Sequence, residues 1–453
     1  MNLHRLLRQR AEAGRPVRAG LIGAGKFGTM FLAQARRMPG LHVAAVADLN
    51  VARARAQLAA AGWDAARIAA PSLADAVKSG GTCVTDDAAA MIADPGIEVV
   101  IEATGEPRVG IRHALLAIDA GKHLVMVTVE ADVVAGPLLA RKATQAGVVY
   151  SLAYGDQPAL ICEQIDWARA CGFEVVAAGK GTRYHPRYHR STPETVWEIL
   201  DQYLKIDDRA SINPKMFNSF IDGSKSGIEM TAVCNATGLT PQPDGLRFPP
   251  ASRFELAEVL KPAALGGSLS HAGTVEVVSS VDRDEKPVPH HLAMGTYVVI
   301  EGDIDYVRRC FTEYNMLQDS TSRFAALYRP THMIGLELGI SVASVALRNE
   351  PTGVPAGFHA DVVATAKRAL KAGEVLDGEG GACVWGKQLP AATSLARGAL
   401  PLGLAQHVTL RRDIAEGEVI GWADVRYDET DQAVQVRREM EAAFARPDAH
   451  AAA

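Results

Sequence analysis

Val17-Arg-Ala-Gly-Leu-Ile-Gly-Ala-Gly-Lys-Phe-Gly28 decides the fold: an apolar strand runs directly into Gly23-Ala24-Gly25-Lys26-Phe27-Gly28, and an apolar-periodic helix follows to Met38. Each glycine has its own steric task. Gly23 permits the tight turn, Gly25 lets the backbone approach a phosphate without an intervening side chain, and Gly28 lets the helix pack close on the strand. The helix N-terminus then offers unpaired N–H groups to an anion. A second strand, His42 to Ala47, closes on Asp48, twenty residues after Gly28, where a carboxylate accepts from adenosine ribose hydroxyls. The spacing predicts a dinucleotide site with Gly23, Gly25, Lys26, Phe27, Gly28 and Asp48 as cofactor contacts.

Asp48 suits two free ribose hydroxyls and repels a 2′-phosphate, which favours NAD over NADP. Arg53 and Arg55 follow in the next helix. Either would reach a 2′-phosphate if Asp48 turned away, and both read equally well as a solvated helix face. The cofactor expectation is therefore NAD(P).

The alternation of strands and helices continues outward from this motif. Strands are expected at 17–22, 43–47, 98–103, 123–128 and 148–153, with helices at 27–38, 50–61, 109–120 and 136–146. That order is the sequence form of a doubly wound parallel sheet. Thr104 and Gly105 end one strand at the carboxyl edge, where a nicotinamide lies, and join the cofactor contacts; Thr128 to Ala131 form the next turn on that edge.

At 453 residues the chain exceeds one ordinary core. The expected fold is α/β: a Rossmann domain over 1–155, an α+β substrate domain over 156–355, and a small domain over 356–453. The helical pattern at 333–347 is expected to pack back on the first domain. With 48% hydrophobic and 22% charged residues and a formal net charge of −5, the composition excludes nucleic acid or an anionic membrane as the main partner. No segment approaches the roughly 18 uninterrupted apolar residues of a membrane helix. The first sixteen residues lack the apolar core of a signal peptide. The six cysteines include no C-x-x-C pair. A cytoplasmic homo-oligomer acting on a small molecule is expected.

Past residue 155, Phe173 to Ala178 reads as a strand entering the polar turn Gly179-Lys180-Gly181-Thr182, and Pro193 to Asp208 is helical in pattern. Strands follow at 274–280 and 295–300. Between them, Asn213 to Leu239 carries many polar groups at helical spacing. Asn218, Asp222, Lys225 and Glu229 fall at i, i+4, i+7 and i+11, one stripe of a continuous helix flanked by Met216, Phe217, Phe220, Ile221, Ile228 and Met230. Buried carboxylates and a lysine must be paired or serve a site. Carbonyl or alcohol chemistry needs a group that exchanges a proton with the oxygen as the hydride moves. Lys225 is the expected proton donor, Asp222 its orienting partner, Glu229 a substrate or metal ligand, and Lys180 the second candidate. Asn213, Lys215, Asn218 and Asn235 are expected on the substrate. The competing reading is a buried structural salt-bridge network. The histidines, including His185 and His189, form no metal-ligand motif.

Two segments near the C-terminus repeat: Thr365-Ala-Lys-Arg-Ala-Leu-Lys-Ala-Gly-Glu-Val-Leu376 and Thr409-Leu-Arg-Arg-Asp-Ile-Ala-Glu-Gly-Glu-Val-Ile420. They predict two equivalent hairpin-like units, and over 365–425 the chain resembles the SAF β-clip module.

These motifs carry a wider resemblance. The glycine loop, the Lys180-Gly181-Thr182 turn and the Asp222/Lys225 pair are similar to homoserine dehydrogenases, which have Asn-Gly-Thr at that turn. The first domain is similar to the Gfo/Idh/MocA dehydrogenases but lacks their Glu-Lys-Pro signature. Arg10-Ala-Glu-Ala-Gly14, Gly25-Lys-Phe-Gly28 with Met30-Phe-Leu-Ala-Gln34, and Asn213-Pro-Lys-Met-Phe-Asn-Ser-Phe220 resemble the deoxyxylulose-phosphate reductoisomerase-like (DRL) proteins over nearly the whole chain. That resemblance implies rearrangement and reduction of 1-deoxy-D-xylulose 5-phosphate to 2-C-methyl-D-erythritol 4-phosphate, with NADPH and Mg²⁺ or Mn²⁺. It implies Lys225 and Glu229 on the substrate, and a metal on Glu229 with Asp222 or Asp207. Homoserine or branched sugar-acid dehydrogenation, or a non-catalytic dinucleotide sensor, are the alternatives.

Overall fold

The computed structural model describes residues 2–203 and 213–445. Asp207 and the end of the 193–208 pattern lie outside the described residues. The chain forms two compact units, 1–160 with 333–355, and 161–332 with 356–453.

The first unit is built on a six-stranded sheet: β1 (Val17–Ile22), β2 (Leu41–Ala47), β3 (Cys83–Thr85), β4 (Val99–Glu102), β5 (His123–Met126) and β6 (Tyr150–Leu152). Their order is β3-β2-β1-β4-β5-β6, and every neighbouring pair is parallel. This is the doubly wound arrangement, with its switch point between β1 and β4. β3 was not expected, because three residues are too short to show a period. The helix Val129–Gln145 begins seven residues before the expected 136 and runs through Pro137. Thr128 is therefore a helix cap rather than the start of an open turn. Leu338, Val342, Ala343 and Val345, at and within the helix Gly339–Arg348, share one core with Val17, Leu21, Phe31 and Val99.

The second unit contains a mixed sheet ordered β10-β11-β9-β7-β8, from β7 (Glu174–Thr182), β8 (Thr274–Ser279), β9 (Thr296–Glu301), β10 (Leu317–Gln318) and β11 (Phe324–Arg329). The helix Ser224–Thr237 packs against β8 and also against β12 (Ala360–Ala366) and β14 (Val384–Pro390). Met230, Val233 and Cys234 of that helix share a core with Val275, Val277 and Val298 of the sheet.

The two C-terminal repeats do not close as separate hairpins. Thr365 pairs with Val419, Leu370 with Ile414, and β13 (Val375–Asp377) with β15 (Gln406–Leu410), so each copy uses the other as its partner. The Leu370 and Ile414 N–H groups exchange bonds with each other's carbonyls at 2.9 and 3.0 Å. Reciprocal pairing satisfies backbone groups that two short isolated hairpins would leave to water. β15 also pairs with β16 (Val425–Arg426).

Candidate functional site

In the first unit the glycine loop is held by sterics. Gly23 has φ 95°, and a Cβ there would lie 2.5 Å from the Ala103 carbonyl oxygen. At Gly28 a Cβ would collide with the Gly23 carbonyl. Gly25 differs: no atom lies within 4 Å of where its Cβ would be. The loop thus has two closed sides and one open side, and the helix Lys26–Ala35 starts there. This is the cradle a pyrophosphate needs, and the residues fit a dinucleotide. Lys26, at the first position of that helix, is exposed, and Phe27 beside it is half-buried.

Asp48 ends β2 with its side chain turned toward the loop. The Ala24 N–H donates to Oδ2 at 2.9 Å, the Asn50 N–H to Oδ1 at 2.8 Å, and Arg53 donates to both oxygens at 3.0 and 3.2 Å. Burial pushes the Asp48 carboxyl up, but these donors outweigh it and hold the group below the ordinary carboxylate value. Arg55 is committed elsewhere, to the Ile68 carbonyl. Leu49, which the motif does not single out, is 96% exposed beside Asp48 and offers an apolar surface to an adenine ring.

The carboxyl edge of β4 is ordered from beneath. Thr104 Oγ1 donates to Glu102 at 2.6 Å, and the Gly105 N–H donates to Thr128 Oγ1 at 3.0 Å. Glu102 is fully buried, with His113 Nδ1 at 3.4 Å. In the same unit Asp132 is buried and accepts from the Tyr150 hydroxyl at 2.9 Å.

In the second unit the predicted polar stripe does not lie on one helix. Pro214–Ile221 ends at Asp222, Gly223 turns with φ 91°, and a new helix starts at Ser224. The Ser224 N–H donates to Asp222 Oδ1 at 2.8 Å, sealing the break. Because the helical phase restarts, Asn218 and Glu229 belong to different helices and the four residues separate.

Two buried ion pairs result. Lys180 Nζ contacts Glu229 Oε2, with side chains only 7% and 5% exposed. Lys180 is the sole side chain of its Gly-Lys-Gly triplet because a Cβ at 179 or 181 would strike the carbonyl of Glu276 or Leu292. Asp222 pairs instead with Lys367 at 2.7 Å, both fully buried. Burial pushes the Asp222 carboxyl up, with Lys367 and Ser224 working against it. The expectation that Asp222 orients Lys225 is thus corrected: its cation is Lys367, a distant residue that local spacing gives no means of finding. Lys225 is half-buried, and Glu229 has Lys180 as its cation.

The four residues expected on the substrate make the following contacts within the unit. Asn213 caps its helix by accepting from the Lys215 and Met216 N–H groups. Lys215 Nζ donates to the Asp377 carbonyl. Asn218 donates to the Ser191 and Gly380 carbonyls at 3.0 and 2.9 Å. Asn235 Oδ1 accepts from the His359 and Ala360 N–H groups at 2.8 and 3.0 Å. Asn235, together with Ser224 Oγ, which accepts from the Gly386 N–H at 2.8 Å, ties the helix carrying Glu229 to residues 359–386. His189 is half-buried: its Nδ1–H donates to the Asp222 carbonyl, Nε2 accepts from Tyr184, and desolvation lowers its pKa to about 4. It stays neutral.

The described residues hold no gathered set of metal-ligand side chains: no three His, Cys, Asp or Glu side chains come together among them. Glu229 and Asp222 each hold a lysine, and Asp207 lies outside the described residues. No helix among the described residues is long and apolar enough to cross a membrane.

Two stretches of the chain match known protein families. Residues 17–130 match the family described as "Oxidoreductase family, NAD-binding Rossmann fold", and residues 155–338 match "Oxidoreductase DRL, catalytic domain". No curated protein matches the chain. Among solved structures it is similar to an NAD binding oxidoreductase from Klebsiella pneumoniae, at 22% identity over 38% of this chain and 44% of that chain, TM-score 0.28. It is also similar to myo-inositol dehydrogenase from Lactobacillus casei in complex with NAD(H) and myo-inositol, at 16% identity over 41% and 53%, TM-score 0.28. The chain thus spans about half the length of these proteins. The chain thus carries one stretch similar to NAD-binding Rossmann domains of oxidoreductases and a second similar to the catalytic domain of the DRL oxidoreductases.

Proposed function

We propose that the chain interconverts a carbonyl and a hydroxyl on a small polyol or keto compound, with Lys180 as the group that exchanges the proton. NAD(P)H, when bound, supplies the hydride to the carbonyl carbon. The oxygen then takes a proton, and a lysine ammonium held in a dry site both stabilises the developing alkoxide and donates to it. Glu229 holds the Lys180 side chain in place before transfer. The observation that supports this reading is the buried Lys180–Glu229 pair, which lies inside the residues that match the catalytic domain.

A narrower candidate, taken from the resemblance to the DRL proteins alone, is the rearrangement and reduction of 1-deoxy-D-xylulose 5-phosphate to 2-C-methyl-D-erythritol 4-phosphate. Loss of absorbance at 340 nm tests it with NADPH and NADH, each with and without Mg²⁺ or Mn²⁺, and with aspartate 4-semialdehyde, the aldehyde whose reduction gives homoserine, and branched keto acids in parallel arms. Lys180→Met should lower turnover about 10²- to 10⁴-fold while leaving cofactor affinity unchanged. A Lys180→Met enzyme as active as the parent would end the assignment of Lys180. Cofactor binding without turnover of any of these compounds would favour the sensor reading.

A further inference from the structure

We propose that the second C-terminal repeat forms a binding site for a small organic dianion, a phosphate ester or a dicarboxylate, held by Arg411 and Arg397. The two repeats agree bond for bond. The Ala366 N–H donates to the Glu418 carbonyl at 3.0 Å, and the Leu410 N–H donates to the Glu374 carbonyl at 2.9 Å. The Gly417 N–H donates to the Ala366 carbonyl and the Gly373 N–H to the Leu410 carbonyl, each at 2.9 Å. Arg368 pairs with Glu374 at 2.8 Å, and Arg412 with Glu418 at 2.6 Å. Lys367 and Arg411, each one residue before those arginines, therefore hold equivalent positions in the two copies.

Their surroundings differ. Lys367 is buried on the Asp222 carboxylate and also donates to the Ser191 and Gly381 carbonyls. Arg411 is exposed: its Nε–H donates to the Val425 carbonyl at 2.8 Å, and its terminal nitrogens have no partner among the described residues. The chain thus supplies a carboxylate to the first copy's cation and none to the second's. Arg411 instead lines a cavity of about 950 Å³, within the roughly 300–1,000 Å³ of small-molecule sites. Arg397 lines it too, and its side chain also lacks a partner among the described residues. Two other lining cations are neutralised, Arg412 by Glu418 and Asp424 and Arg438 by Glu441, each at 2.6 Å. Glu429 is a lining carboxylate without a cation among the described residues. Two unpaired guanidiniums call for two anionic charges, and their forks match the paired oxygens of a carboxylate or a phosphate. Glu429 then accepts from a hydroxyl of the ligand. This part of the chain lies outside both family matches.

Isothermal titration calorimetry of the full chain with glycerol 3-phosphate, malate and inorganic phosphate tests the proposal, with NaCl holding ionic strength constant and NADH present to fill the glycine loop. Glycerol 3-phosphate or malate should bind at one saturable site with a Kd below about 1 mM. The tighter of the two assigns the ligand as phosphate ester or dicarboxylate. Inorganic phosphate, which lacks the organic body, should bind at least about tenfold more weakly than that ligand; equal binding would mean an adventitious ion only and overturn the proposal. Arg411→Gln should weaken binding about 10- to 100-fold, the loss of a charged hydrogen bond. Arg397→Gln breaks no side-chain bond of the fold. It should weaken binding about tenfold while the ligand-free chain melts as the parent does. If Arg411→Gln does not fold, Arg397→Gln decides alone. Absence of saturable binding of both organic anions would overturn the proposal, as would an affinity unchanged in either folded variant. The titrations need no turnover, so their outcome is independent of the proposed reaction.

Discussion

Asp132 provides the sharpest test of the buried electrostatics beneath the cofactor edge. Its carboxyl is fully buried in the helix Val129–Gln145, and burial, opposed only by the Tyr150 hydroxyl, raises its pKa from 3.8 to about 7. Oδ2 has no hydrogen-bond partner among the described residues. The folded state therefore holds a proton that the unfolded chain has released. The stability this confers is fully present below the unfolded value of 3.8, and it is lost as pH rises through the folded value of about 7. A shift of that size corresponds to ~4 kcal/mol, so the first unit should be markedly less stable at pH 8 than at pH 5. Asp132→Asn keeps an acceptor for Tyr150 and cannot ionise. It leaves an unpaired buried amide N–H, costing about 1–3 kcal/mol, so the net gain at pH 8 should be ~1–3 kcal/mol. At pH 5, where Asp132 is already neutral, the variant should be no more stable than the parent. Urea unfolding followed by amide exchange of Val133–Ala143 measures this. If Asp132→Asn leaves the difference between pH 5 and pH 8 unchanged, Asp132 does not carry the pH dependence and the reasoning fails.

Two glycine variants should separate fold from cofactor. Gly25→Ala meets no atom within 4 Å, so melting should stay near that of the parent while NADH affinity falls at least about tenfold, the new methyl occupying the cradle. Gly28→Ala strikes the Gly23 carbonyl and should lower both stability and NADH binding, read by calorimetry and titration. Lys367→Met should destabilise the second unit by about 3–5 kcal/mol, because Asp222 is left as a buried charge without a cation. The loss should deepen as pH rises in urea melts, because without Lys367 burial pushes the Asp222 carboxyl further up and ionisation then favours the unfolded chain; a variant as stable as the parent at pH 8 would show that the pair does not support the fold.

The sequence by itself determined the cofactor half of this protein. Strand, Gly-x-Gly-x-x-Gly and helix are contiguous, and the role of each glycine depends on atoms a few residues away or on the neighbouring strand. Asp48, one strand further on, follows from the regular pitch of a parallel βαβ unit. In the second half the residue types were legible but their partners were not. Lysines and carboxylates at helical spacing predicted one stripe, and a single left-handed glycine at 223 divided it. Glu229 then met Lys180, 49 residues earlier on a strand, and Asp222 met Lys367 in the C-terminal segment. Likewise the two C-terminal repeats announce equivalent units, but not that each completes the other. Only the tertiary structure decided these pairings, because burial removes water as a partner and leaves each charge to whichever distant group packing brings within reach.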